Sequence, residues 1–162
     1  MLRIGKGFDI HRFAENIPLR IGGVDIPFDK GCLAHSDGDV LIHAVIDSLL
    51  GATGCGDIGT HFPDSNPSYS NASGRDLMCR ALGIVPACVC INLDMTVFCE
   101  QPKLSPFRKA IEESVADMLS IDPGIVNFKA KTMELLGEIG NGNAIAAEAV
   151  MLLCLNAKGN PA

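Results

Sequence analysis

The chain has 162 residues, of which 48% are hydrophobic and 20% charged, and its formal net charge is −6. That length suits one domain with a real core, spanning residues 1–162. The negative charge argues against nucleic-acid binding by electrostatics, and no apolar run is long enough for a membrane helix or a signal peptide.

Leu2 to Ile10 alternates as a strand, with Gly5 and Gly7 permitting close approach of other backbone. Asp9 and His11 are two apart on it and project to one face. Leu19–Ile21 and Val24–Phe28 flank Gly22-Gly23, a hairpin signal. Residues 29–34 lead into His35-Ser-Asp-Gly-Asp-Val-Leu-Ile-His43, a turn that runs into a helix. Val40, Leu41, Ile42, Val45, Ile46, Leu49 and Leu50 follow the helical period. One of the Asp or Ser side chains is the N-cap, and the helix ends near Gly51. His43 therefore falls in the first turns, with His35 on the loop before it.

Residues 54–67 form a loop rich in Gly, Pro, Asp and Asn, too long and polar for a simple connector. Ser73 caps a short helix carrying Leu77, Met78, Ala81 and Leu82, stopped by Gly83. Residues 89–99 set Val89, Ile91, Leu93, Met95 and Val97 against Asn92, Asp94 and Thr96, a half-buried strand. Ser105-Pro106 reads as an N-cap with Pro at the first helical position, opening a helix through Ile111, Val115, Met118 and Leu119. Asp122-Pro-Gly124 turns the chain, and Val126 to Thr132 alternates again. Met133 to Gly142 holds three glycines and reads as a loop. Ala144 to Leu155 is ambiguous, since its alanines favour helix while its continuous apolar character fits a buried strand. The seven cysteines lack Cys-x-x-Cys spacing and read as small buried hydrophobes in a reducing cytosol.

Asp9, His11 and His43 make an Asp/His/His donor set, with His35 and Asp39 in reserve. Such a mixed oxygen and nitrogen set suits Zn²⁺ or a similar divalent ion with one open position. Asp47 lies one helical turn after His43 and is placed to orient its ring. Spacing alone leaves the ordinary alternative open, a satisfied polar histidine near a helix start. Asp57-Ile58-Gly59 and Phe62-Pro63-Asp64-Ser65-Asn66 offer carboxylates and amides for hydroxyl groups, or plain turn chemistry. Pro102-Lys103 and Lys129 to Glu134 offer cations, a hydroxyl and a carboxylate, or a solvated strand end. No P-loop, nucleophile elbow or dinucleotide fingerprint is present.

In order along the chain stand Gly7-Phe-Asp-Ile-His11, Ile21-Gly-Gly23, Ala34-His-Ser-Asp-Gly-Asp-Val40 with His43-Ala44, Gly56-Asp-Ile-Gly59, Phe62-Pro-Asp64, Gln101-Pro-Lys103 and Lys129-Ala-Lys-Thr132 with Glu134. Together they closely resemble the 2-C-methyl-D-erythritol 2,4-cyclodiphosphate synthase family, over almost the whole chain. The resemblance implies an α+β fold: a mixed β-sheet with helices packed on one side, three subunits forming a homotrimer around the sheets, and active sites between neighbours. It also makes residues 144–155 a strand. It implies conversion of 4-diphosphocytidyl-2-C-methyl-D-erythritol 2-phosphate to the cyclic diphosphate with release of CMP, in non-mevalonate isoprenoid biosynthesis.

By the same resemblance, Asp9, His11 and His43 are the ligands of one Zn²⁺ per subunit, and Glu134 holds a second divalent cation, Mg²⁺ or Mn²⁺. His35 and Thr132 stabilise the transition state. Substrate contacts fall to Asp9, His11, His35 and Ser36, and to a methylerythritol loop of Asp57, Ile58, Gly59, Phe62, Pro63, Asp64, Ser65 and Asn66. A cytidine loop from the adjacent subunit spans Cys99, Glu100, Gln101, Pro102, Lys103, Leu104 and Ser105, followed by Lys131, Thr132, Met133 and Glu134. Two positions depart from the pattern: Glu138 and Asn141 stand where many bacterial members carry Phe and Arg that help bind an isoprenoid diphosphate on the trimer axis. The missing Arg weighs against anion binding there. The competing readings are a zinc hydrolase that activates water on the same triad, and a non-catalytic trimer that binds nucleotides or isoprenoid diphosphates. No nucleic-acid or membrane partner is expected. The location expected is a bacterial cytoplasm, or a plastid stroma after removal of a transit peptide.

Overall fold

The computed structural model describes residues 1–63, 66–69 and 72–155. Its main sheet holds β1 (Leu2–Glu15), β4 (Lys30–Leu33), β5 (Cys88–Phe98), β6 (Val126–Lys131) and β7 (Ala144–Leu155). Their order is β4-β1-β7-β5-β6. Every neighbouring pair is antiparallel except β5 and β6, which run parallel. A separate hairpin pairs β2 (Leu19–Ile21) with β3 (Val24–Ile26), and its two-residue turn has Gly22 and Gly23 at φ +61° and +79°. That is the turn the Gly-Gly pair calls for, because both central residues need positive φ.

The helices α1 (Val40–Thr53) and α4 (Arg108–Leu119) pack on one face of the sheet, α3 (Gly74–Ile84) packs against both, and α2 (Ile58–His61) and α5 (Gly137–Gly140) are single turns. The core lies under α1, where Leu41, Ile42, Val45, Ile46, Leu49 and Leu50 are all buried. Gly5 and Gly7 explain how α1 comes so close to β1: a Cβ on Gly5 would overlap the carbonyl oxygen of Ser48, and one on Gly7 that of Ala44. The opposite face of the sheet is bare and apolar, with Ile4 72% and Phe8 53% exposed beside Leu2, Ile10 and Val150.

Several elements differ from the sequence expectation. β1 runs on past Ile10 to Glu15, because β4 pairs with its second half. The alternation read in β5 holds only from Leu93 onward. A bulge between Cys90 and Asn92 inserts one residue, so Val89 and Ile91 turn outward, 54% and 43% exposed, and Cys88 and Cys90 pack toward the core. Gly83 does not stop α3, which ends instead ahead of Pro86, the residue before it being held extended. Ser105 is not a cap: Ser105–Phe107 is a 3₁₀ turn, and α4 follows from Arg108. β7 is a strand, as the resemblance implied, and a central one; Ala147 and Ala149 face α1, paired with the inward residues Asp9 and Gly7. All seven cysteines are free; Cys32 and Cys99 are buried as expected, but Cys79 is exposed.

The glycine contact gives a paired test. Gly7→Ala is expected to lower stability by about 3 kcal/mol through overpacking, whereas Gly51→Ala, at an open helical position, should raise it by about 0.5–1 kcal/mol. Chemical denaturation of the two variants beside the parent chain measures both changes.

Candidate metal centre and active-site cavity

Asp9 and His11 lie on the inward face of β1, two residues apart, and His43 reaches them from the first turn of α1. Asp9 Oδ2 stands 2.9 Å from His43 Nδ1 and 2.9 Å from His11 Nε2, and the two ring nitrogens are 3.2 Å apart. Three donors on a tetrahedron around an ion at about 2.0–2.1 Å are separated by roughly 3.3 Å. The triangle formed here is slightly tighter than that, so the residues fit a divalent metal with a small opening of the three donors. The other Asp9 oxygen accepts from the N–H of Ile10 at 2.8 Å, which fixes the carboxylate plane. Burial raises the Asp9 carboxyl, but the hydrogen bonds and charges of His11 and His43 outweigh it and hold Asp9 well below the usual carboxylate range. Burial lowers His43, yet Asp9 wins and leaves it above its ordinary value. The triad is thus a site already polarised for a cation.

Two acidic side chains fix the loop that leads into α1 and so the helix start that carries His43. Asp39, fully buried, accepts backbone N–H groups from Gly22 at 2.9 Å, Gly23 at 2.6 Å and Ile42 at 3.1 Å. It is at once the N-cap of α1 and the clasp of the β2–β3 hairpin. Burial pushes its carboxyl up to about 6, against the pull of those three donors. Asp37 accepts the N–H of Gly74 at 2.8 Å and so ties the same loop to the start of α3.

Asp47 does not orient His43. Its Oδ1 accepts the N–H of Ile58 at 2.8 Å and so anchors the 57–59 loop. The second nitrogen of His43 faces Ser36 Oγ instead, at 3.1 Å. Above the triad opens a cavity of about 730 Å³. Its lining includes His35, Ser36, Ile58, Gly59, Phe62 and Pro63 from the expected set, Asp47, which the helical spacing set beside His43, and Phe8, Leu33, Tyr69 and Leu77, which the sequence did not mark as site residues. Tyr69, the chain's one tyrosine, packs edge-on against Phe62 with centroids 5.4 Å apart. An aromatic pair inside a polar loop was the available signal for that wall. Asp57 is exposed and caps α2 through the N–H of Thr60 at 2.7 Å rather than lining the cavity. Asn66 likewise spends its Oδ1 on the N–H of Ser68 at 3.0 Å. Asp64 and Ser65 lie outside the described residues.

The remaining expected residues gather elsewhere. Thr132 Oγ1 donates to Glu134 Oε1 at 2.8 Å, and Glu100 Oε2 accepts the N–H of Met133 at 3.2 Å. Cys99 Sγ contacts the carbonyl of Pro102, closing the 99–105 loop beside them. Lys131 is exposed, whereas Lys129 is committed to Asp94. None of residues 99–105 or 131–134 lines the triad cavity. The strand register shows why. Ile10 faces Ala146, Ala146 faces Phe98, and Phe98 faces Lys131, so the second cluster sits three strand spacings away, about 14 Å across the sheet. One chain therefore carries two separate halves of the expected site.

Fold and donor set together define an α+β protein with an Asp/His/His set fit for a divalent metal on the wall of a cavity. The YgbB family model matches residues 2–154. A chloroplastic 2-C-methyl-D-erythritol 2,4-cyclodiphosphate synthase of Oryza sativa is 47% identical, over 93% of this chain and 69% of its own length. The synthase of Geobacillus thermodenitrificans is 46% identical, over 94% of this chain and 97% of its own. A solved 2C-methyl-D-erythritol-2,4-cyclodiphosphate synthase in its CDP-bound form superposes with a TM-score of 0.86 at 36% identity, covering 94% of this chain and all of that one. The chain belongs to the YgbB family, that of the 2-C-methyl-D-erythritol 2,4-cyclodiphosphate synthases. Among the described residues no helix is long and apolar enough to cross a membrane.

His43→Ala is expected to abolish stoichiometric zinc binding, from about one ion per chain to almost none, with the far-UV circular dichroism spectrum kept. Metal analysis after gel filtration of the variant checks it, and zinc retained at one per chain would remove His43 from the ligand set.

Proposed function

We propose that this chain cyclises 4-diphosphocytidyl-2-C-methyl-D-erythritol 2-phosphate to 2-C-methyl-D-erythritol 2,4-cyclodiphosphate and releases CMP, as a phosphorus–oxygen lyase of isoprenoid biosynthesis. The observation that carries this reading is the preformed Asp9, His11 and His43 triangle at the cavity mouth of a chain so close to curated synthases. In the reaction an oxygen of the 2-phosphate forms a bond to the β-phosphorus, and the bond from that phosphorus to the CMP oxygen breaks. No protein nucleophile is needed. The protein's task is to fold the substrate back on itself and to meet charge where it moves.

Zn²⁺ on Asp9, His11 and His43, with Mg²⁺ or Mn²⁺ on Glu134, would supply Lewis-acid polarisation of the phosphate oxygens. His35 and Ser36 lie on the cavity wall next to the triad, placed to donate to a phosphate. Ile58, Gly59, Phe62 and Pro63 form the side that would cover the methylerythritol carbons. We assign cytidine to the 99–105 loop and the leaving phosphate to Thr132 and Glu134; that a solved relative binds CDP supports a cytidine nucleotide as ligand. These two halves are about 14 Å apart in one chain. A homotrimer, its contact made by the bare apolar face of the sheet, would bring the half-site of one copy to the triad of the next.

Two experiments test this. In ³¹P NMR with the diphosphocytidyl substrate, Zn²⁺ and Mg²⁺ should yield a coupled cyclic diphosphate pair together with CMP, and chelator should stop both. Inorganic phosphate without the cyclic product would indicate a hydrolase instead. Thr132→Ala should lower kcat by about 10²–10³-fold with little change in KM, as expected for a donor used in the transition state. A rise in KM alone would make Thr132 a ground-state contact.

A further inference from the structure

We infer that Asp47 is a specificity-determining residue: its second carboxylate oxygen accepts a hydroxyl of the substrate's carbon chain and so fixes which end of the cavity takes the polyol. The inference rests on the cyclase reading above and adds to it a residue that the family resemblance does not mark.

Asp47 stands one turn after His43 on α1, on the same side of the helix. Between Val40 and Leu50 it is the one residue that is not buried. A carboxylate in so apolar a helix has to find donors or open space. Oδ1 finds a donor, the N–H of Ile58 at 2.8 Å. Oδ2 has no hydrogen bond or ion pair among the described residues. No side-chain oxygen sealed from solvent lacks a partner there, so Oδ2 is open, and the space beside it is the cavity that Asp47 lines. The carboxylate is also held from below. A Cβ on Gly7 would come within 2.8 Å of the Asp47 Cβ, so the strand, the helix and the 57–59 loop together fix its place.

The chemistry of the wall gives that oxygen its partner. An ionised carboxylate only accepts hydrogen bonds. It repels a phosphate oxygen, another acceptor, and favours a hydroxyl, which donates. His35 and Ser36, elsewhere on the same wall, can donate and suit phosphate. Asp9 is the other carboxylate among the described lining residues, and it belongs to the metal set. Asp47 is tied to Ile58, so its free oxygen lies on the side of Ile58, Gly59, Phe62 and Pro63. With phosphate on carbon 2 and the diphosphate on carbon 4, the proposed substrate keeps free hydroxyls on carbons 1 and 3. One of these donates to Asp47 Oδ2. Asp57, the acidic residue expected for this task, instead accepts the N–H and Oγ1–H of Thr60 at 2.7 and 2.8 Å and is not on the cavity wall.

The test measures kcat/KM for the full substrate and for its 1-deoxy and 3-deoxy analogues. Asp47→Asn keeps an oxygen for the Ile58 N–H and places an amide donor where the free acceptor was. The parent chain should lose about 10–100-fold on one of the two analogues, as expected for a hydrogen bond to a charged group. Asp47→Asn should lose a similar factor on the full substrate and then treat that substrate and the same analogue within about threefold of each other. Asp47→Ala, which removes the acceptor outright, should lose the discrimination in the same way, so either variant that keeps the parent's far-UV circular dichroism spectrum serves. A folded variant that still discriminates as the parent does, with all three compounds slowed alike, would overturn the inference and leave Asp47 an anchor of the 57–59 loop. A parent that turns over both analogues as fast as the full substrate would overturn it too. Both outcomes require cyclic product from the parent, so failure of the cyclase reading, seen as none, stays separate.

Discussion

Everything in the metal centre depends on how closely α1 approaches β1. Ordinary helix-on-sheet packing keeps the backbones apart by a layer of side chains. Here Gly5 and Gly7 remove that layer at two successive inward positions, and carbonyl oxygens of α1 occupy the space. The next two inward positions of the same strand are Asp9 and His11. Once the helix is seated on the glycines, its first turn is fixed over them, and His43 has little freedom to point elsewhere. The ligand triangle is a consequence of core packing, so its 2.9 to 3.2 Å spacings are set by rigid elements rather than by a loop. Asp39 completes the arrangement, since one buried carboxylate joins the hairpin to the helix start.

The second cluster is built on the opposite principle. Glu134 and Leu135 both hold positive φ, +51° and +62°, conformations costly for residues with a Cβ. The Glu100 carboxylate helps to hold that turn by accepting the N–H of Met133. Leu135 and Leu136, 71% and 70% exposed, project from it. A strained turn that also presents two leucines to solvent is poorly explained by the needs of an isolated chain. It is well explained if a second copy packs there and the strain positions Thr132 and Glu134 for that copy's cavity.

The strands and helices with clear periodicity were legible in the sequence, and so was the chemistry of Asp9, His11 and His43. Their convergence was not, because it turns on a backbone contact that a pair of glycines only hints at. β7 was ambiguous from its own residues, because its alanines prefer helix one by one while its place at the centre of the sheet requires small side chains, and only the family resemblance made it a strand. The phase of β5 was misread at Val89 and Ile91 because a bulge leaves no mark in a hydrophobic pattern. Asp47 was assigned to the wrong partner for a related reason. Helical spacing put it one turn from His43, but the distant Ile58 N–H competes for the carboxylate, and contacts between remote segments are invisible in spacing.

An acidic chain that handles a multiply charged anion has to silence its own carboxylates first. The structure does so locally. Asp9 is held by two imidazoles, Asp47 by the Ile58 N–H, Asp39 by three backbone N–H groups, and Glu100 by the turn it supports. Each of these carboxylates already has a donor, so none presents its full charge to the cavity. Glu134 differs from these four: among the described residues its exposed carboxylate has the Thr132 hydroxyl as its donor, a single neutral group. By the same logic it has more to gain from a cation than Asp9, Asp39, Asp47 or Glu100. The net charge of −6 thus describes the surface as a whole, while the electrostatics at the site are set by which carboxylates are left without a partner.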